Sequence, residues 1–412
     1  MRFLTSLRIS SVAWALLPTL LASWIMTEDR TRFAVQGYGA AAANSALEAL
    51  FVPAAACAGC AAWEAWRLRR AGIWRLPHGR GRYLIAANAL APVAFLGAAG
   101  LLVSLASAWV ELRALPDLAS VPMLLTGVLV LASHSAVGFL LGSLLPGLLS
   151  APLMLLASYL WMGLPGAMEP PLRYLNGLPT ESIWVTESFA VGSWAAPGLL
   201  ALGLIAGTMA AVAPVLRGVA VRAPAAAGCV TAAALGAYAI VADWEYSTPT
   251  VPRAVTPVCA GEAPAVCVPP EFRAALPGAR QAADEVVPLL SAAGFTVPER
   301  IVMQSNRAPL PEDTWLFHSY PDLTDEQHRT SIAHSPLPPR PGCAFDMTTD
   351  WEAEEVARAW LWLTAGAPRT SDRYEEETLA VAEEIRKLPA AEQQAWFQGL
   401  KKPLTTCVPE VL

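Results

Sequence analysis

Six arginines crowd into residues 67–82, "RLRRAGIWRLPHGRGR", between two of the most apolar stretches of the chain. Guanidinium groups at that density can neutralise phosphates, mark the cytoplasmic side of a membrane, or hold a partner protein. A short loop between apolar runs offers little footprint for a duplex, so nucleic-acid binding is not expected. Glu48, in "NSALEALF", and His134, in "LASHSAVGF", each sit inside an apolar run, with Asn44 beside the first. An ionisable group in hydrocarbon is costly; it either lines a polar cleft or hydrogen-bonds between helices. Both readings stand for Glu48, Asn44 and His134.

Further along, His318, His328 and His334 are the histidines of the C-terminal part, two of them six apart in "HRTSIAH". That spacing fits neither one helix face nor a zinc motif, and neither His-Glu-x-x-His nor Gly-x-Ser-x-Gly occurs. No catalytic residue, metal or cofactor is therefore expected, and a membrane-tethered hydrolase is disfavoured. "EAEE" (352–355) reads as the solvated first turn of a helix, favoured by the helix dipole. Cys259 and Cys267 lie close together in "CAGEAPAVC", with Cys343 and Cys407 beyond. Four cysteines allow three pairings, of which Cys259–Cys267 with Cys343–Cys407 is the simplest. "CAGC" (57–60) has redox-motif spacing but reads better as small residues packing against another helix.

The elements that must carry these groups follow from composition. The 412 residues are 55% apolar and only 15% charged, against about 25% charged in a typical soluble domain. Residues 1–244 carry 14 Arg against 10 acids, and residues 245–412 carry 14 Lys and Arg against 24 acids. The chain thus divides into an apolar, mildly basic part and an acidic, ordinary one. A membrane-crossing helix needs roughly 20 mainly apolar residues, and seven stretches qualify: about 9–26, 39–63, 83–109, 120–144, 148–166, 195–216 and 224–243. Trp24, Trp63, Trp66, Trp109, Trp161, Trp194 and Trp244 lie near their ends, as an interfacial belt requires. "LASWIMTEDR" lacks a small-x-small cleavage site, so the first stretch reads as an uncleaved span.

A cytoplasmic N-terminus places Arg2, Arg8, the six arginines of 67–82, Arg217 and Arg222 on one side, against Arg30, Arg32, Arg113 and Arg173 on the other. Seven spans then leave residues 245–412 outside the cell membrane, where disulfides are stable. Residues 245–257 read as a Pro/Thr-rich linker. Residues 258–412 read as an α+β, mostly helical extracytoplasmic domain. Its expected parts are a helix over 269–293 split at Pro277, strands in 296–304 and 313–320, and three helices over 350–366, 371–388 and 389–402, the second capped by Ser371. The fold class is thus an α-helical polytopic membrane protein with a folded outer tail.

"VGFLLGSLLPGLLSAPLMLLASYLW" (137–161), with its Gly-x-x-x-Gly-x-x-x-Pro rhythm and "APL", resembles actinobacterial membrane proteins of the type-2 ABC exporter permease kind. "VCAGEAPAVCVPPEFRAALPG" (258–278) looks like the start of an uncharacterised C-terminal domain found in some of them. The resemblance implies a permease subunit that pairs with a second permease, in a homo- or heterodimer. A separate ATP-binding subunit would dock on the loop between spans two and three. On that basis Arg67, Arg69, Arg70, Ile73, Trp74 and Arg75 form the coupling helix. The family pattern has six spans and no large outer tail, which this chain exceeds, and the chain has no Walker A motif of its own. The alternative is a receptor or scaffold whose outer domain binds a ligand or an envelope protein.

Overall fold

The computed structural model describes residues 7–32, 34–75, 81–179, 182–213, 218–244, 250–305, 308–319, 323–338, 351–369 and 373–405. The chain forms two compact units. The first holds residues 1–184 and 188–250, the second residues 185–187 and 251–412.

Among the described residues the longer helices of the first unit are α1 (Val12–Thr31), α2 (Gly39–Glu48), α3 (Phe51–Arg70), α4 (Arg82–Leu112), α5 (Val121–Leu144), α6 (Gly147–Gly163), α7 (Val191–Val212) and α8 (Val219–Val241). Among the described residues four helical stretches are long and apolar enough to cross a membrane: Arg82–Leu112, Leu118–Leu144, Val191–Val212 and Val219–Val241. A fifth arises if α2 and α3, bent by 43° at their junction, count as one span. α6 is apolar but 17 residues long. α1 runs on into Glu28, Asp29 and Arg30, which cut short its apolar run.

The second expected span is a broken helix. Pro53 has no N–H to offer the carbonyl four residues back. The backbone adjusts by shorter bonds, Leu50 N–H to Leu47 O at 3.0 Å and Val52 N–H to Ala49 O at 3.2 Å. α3 then continues past the expected end at residue 63 to Arg70. Tight packing of α3 against α5 explains the glycine rhythm. A methyl group on Gly138 or Gly142 would collide with the Ala58 or Ala62 backbone, and one on Gly147 would lie 2.5 Å from the Trp66 ring. The small residues Cys57, Ala58 and Ala61 let the helices approach, and Cys57 and Cys60 are free thiols buried there.

In the second unit β3 (Val258–Ala260), β4 (Ala265–Val268), β5 (Arg300–Val302) and β6 (Thr314–Leu316) form a mixed sheet in that order; β1 (Glu187–Phe189) and β2 (Thr250–Pro252) precede them in the chain. β3 and β4 are antiparallel, while β4–β5 and β5–β6 are parallel. Its helices are α9 (Leu276–Ala292), α10 (Asp325–Ala333), α11 (Trp351–Thr364), α12 (Glu376–Arg386) and α13 (Ala390–Thr405). The aromatic rings of Phe295, Trp315, Trp360, Trp396 and Phe397 meet at centroid distances of 5.1–6.2 Å, with Phe295, Trp360 and Phe397 buried in its interior.

Four expectations change here. The linker already contains a strand, since extended backbone suits its prolines at a strand's end. Pro277 opens α9 instead of splitting it, because the first turn needs no proline N–H. α12 starts at Glu376 with Glu375 at its N-cap, and Ser371 lies outside the described residues. α10 was not expected, although Thr324 and Gln327 form a capping box with the Thr-x-x-Gln spacing.

Candidate functional site

Arg67, Arg69, Arg70, Ile73, Trp74 and Arg75 do not share one helix. Arg67, Arg69 and Arg70 occupy the last turn of α3, where cations offset the carbonyl end of the helix dipole. Ile73–Arg75 form a separate 3₁₀ turn. Glu64, one turn earlier and 6% exposed, organises this end. Its carboxylate accepts the Ser11 N–H at 2.7 Å, the Ser11 hydroxyl at 2.9 Å and Arg67 Nη1 at 2.8 Å. Ser11 stands at the N-cap of α1, so Glu64 pins the start of that helix through the Ser11 N–H and hydroxyl. Arg67 Nη1 also donates to Ile9 O at 2.8 Å, and Arg69 Nη1 to Ser143 O at 3.1 Å near the end of α5.

Three helix ends are thus knotted by charge-assisted hydrogen bonds, which are about twice as strong as neutral ones. Trp74 packs beside Leu68 on the cluster of Val12, Cys57, Ala61, Val93 and Phe139. Arg70 differs from its neighbours: it is exposed, its guanidinium 5.3 Å from the Trp66 ring centroid. Glu64 was missed because an acid at the end of an apolar run looks like a boundary. The available signal was its i, i+3 spacing to Arg67.

At the α2–α3 break, Glu48 Oε1 accepts from Asn44 Nδ2 at 2.6 Å, and its other oxygen lies 3.6 Å from Arg30 Nε. The partner of Glu48 is thus an arginine of α1. His134 Nδ1 lies 2.5 Å from the Ser158 hydroxyl, joining α5 to α6 inside the bundle. The structure brings Asn44 and Glu48 together, with His134 in a separate α5–α6 contact.

In the second unit Cys259 and Cys267 form a disulfide. They face each other across the antiparallel β3–β4 pair, whose turn includes Gly261 at φ 83°. Cys343 and Cys407 lie outside the described residues. Of "EAEE", Glu352 and Glu355 are exposed as expected, but Glu354 is 4% exposed. Its carboxylate takes two hydrogen bonds from Arg358, at 2.9 and 2.7 Å, which make its burial tolerable.

Arg358 also carries the carbonyl that His334 Nε2 meets at 3.1 Å, and the Tyr374 hydroxyl lies 3.0 Å from the same nitrogen. A carbonyl can only accept, so Nε2 bears the hydrogen. Burial first, then the Arg358 guanidinium, holds His334 down to about 3. Burial likewise lowers His318, again with Arg358 adding, while Asp325 partly offsets the lowering of His328. Burial raises Tyr374 to about 12. The three rings are thus mainly neutral at neutral pH. Among the described residues no cluster of His, Cys, Asp and Glu has metal-site geometry.

Residues 266–407, from β4 through α13, match a domain of unknown function designated DUF7224. The disulfide joins this matched region, at Cys267, to Cys259 just before it. No curated protein and no solved structure matches the chain.

Proposed function

We propose that this chain is a permease-type subunit that acts with a separate ATP-binding subunit to move a hydrophobic or peptidic substrate. In this reading it crosses the membrane seven times, through α1, the broken α2–α3 pair, and α4 to α8. The N-terminus is cytoplasmic and the second unit extracytoplasmic. The knot at the end of α3 carries the proposal. A force on the exposed Arg70 face would pass through Arg67 to the start of α1 and through Arg69 to the end of α5. A docking element that drives a membrane path needs that mechanical property. Two further observations support the topology. Residues 185–187 belong to the same compact unit as residues 251–412, with two apolar helices between them, an even number of crossings. The Cys259–Cys267 disulfide suits an oxidising compartment.

The test is purification of the tagged chain from its native host, as wild type and as Arg70→Glu. Arg70 serves better than Arg69, whose reversal would break the Ser143 bond inside the protein. A stoichiometric ATP-binding subunit present with wild type and lost with Arg70→Glu, at equal yield and Tm, is the expected result. An equal amount with both proteins refutes the docking role. The second reading, a receptor or scaffold, is favoured by the aromatic core that the outer unit has of its own; recovery of envelope proteins alone would select it.

A further inference from the structure

Residues 185–187 lie just ahead of α7, yet they belong to the second unit. Arg253 makes the attachment. Its backbone N–H donates to Thr186 O at 2.9 Å, and its Nη1 donates to Val185 O at 3.0 Å. Its Nη2 reaches Glu271 Oε1 at 2.8 Å, with the two side chains 21% and 13% exposed. Beyond Thr186, the Ser305 hydroxyl donates to Glu187 Oε1 at 3.1 Å, and both residues are buried. One arginine thus grips two consecutive carbonyls while an acid of its own unit fixes its guanidinium. A lysine would keep the backbone bond to Thr186 O but lacks the planar fork that reaches Val185 O and Glu271 from two separate nitrogens.

We infer that the second unit is a clasp on the chain that enters α7. The segment before α7 is held by Arg253 and Ser305, while the chain that leaves α8 enters the same unit covalently. The α7–α8 hairpin is therefore fastened at both ends, and Arg253 is the catch. Any movement that draws the entry to α7 away from the second unit must first break these hydrogen bonds. The clasp lies within this chain alone and would serve a permease or a receptor equally.

The experiment uses the full-length chain in membranes, with a protease site substituted into 245–249. Cleavage removes the covalent tie between residues 250–412 and α8, so that non-covalent contacts, the clasp and the β1–β2 pairing among them, must hold the fragment. In wild type that fragment should sediment with the membranes after cutting, and in Arg253→Ala at least ten times more of it should appear in the supernatant. Release of the wild-type fragment, or retention of the Arg253→Ala fragment, overturns the clasp. A second variant guards against misfolding. Glu187→Cys with Ser305→Cys, in a chain whose cysteines 57, 60, 229, 343 and 407 are replaced by alanine, is oxidised to a disulfide with copper phenanthroline before cutting. The cross-link should form and keep the fragment membrane-bound in denaturant, and its failure to form would also overturn the clasp.

Discussion

Lowering the pH from 7 to 5 should loosen the second unit around His334. His334 titrates near 3 in the folded unit and near its ordinary 6.5 once exposed. Between those values the open form binds a proton that the folded form refuses. Stability is therefore fully present above about 6.5 and falls as the pH drops toward 3. At 1.36 kcal/mol per unit, the two titration curves separate by about 2 kcal/mol between pH 7 and pH 5, roughly a 25-fold rise in the opening equilibrium. The result barely depends on the folded value, because at pH 5 the folded ring is already neutral.

The perturbation that isolates this share is His334→Gln, whose amide can still donate to Arg358 O but does not titrate. The assay is hydrogen exchange by mass spectrometry on the full-length protein, following peptides from α10 and α11, with rates corrected for intrinsic pH dependence. Wild type should lose about 2 kcal/mol more opening free energy than the variant over this range. His318 and His328 are shifted in the same direction and should leave a residual slope in both proteins. An identical pH response in wild type and variant would refute the assignment of His334 as a buried neutral group.

Other substitutions probe the remaining contacts. Removing one partner of the half-buried knot, with Glu64→Ala or Arg67→Ala, should cost about 1–3 kcal/mol, while the double Glu64→Gln, Arg67→Gln should cost less than the two single changes combined; additive losses in thermal unfolding would deny the coupling. Gly142→Ala places a methyl group against the Ala62 backbone and should destabilise the α3–α5 contact by about 1–3 kcal/mol, seen as a lower Tm in detergent. Cys259→Ser with Cys267→Ser opens a loop with sequence separation 8, and chain entropy sets the loss at about 2.5 kcal/mol; hydrogen exchange across β3 and β4 would report it, and unchanged protection would contradict it.

The divided nature of the chain was legible because it depends on composition over long windows. Apolar runs must leave water, and an acidic, mixed tail can fold in it. The Cys259–Cys267 pair was legible as the simplest of three pairings because the two cysteines are only eight positions apart; the hairpin that brings them face to face came from the structure. The three helices at the end of the tail were legible from their apolar periodicity. Tertiary structure alone decided which polar groups matter. Glu64 and Glu354 look like ordinary surface acids in the sequence. They become buried centres because Ser11 and two arginines, Arg67 and Arg358, happen to converge on them. Arg253 lies in what read as a linker, 68 residues after the carbonyl of Val185 that it grips. Short-range pattern fixes which segments are helix or strand, through backbone geometry and burial. Which distant residues share a hydrogen bond depends on how the packed elements meet, and that information is spread over the whole chain.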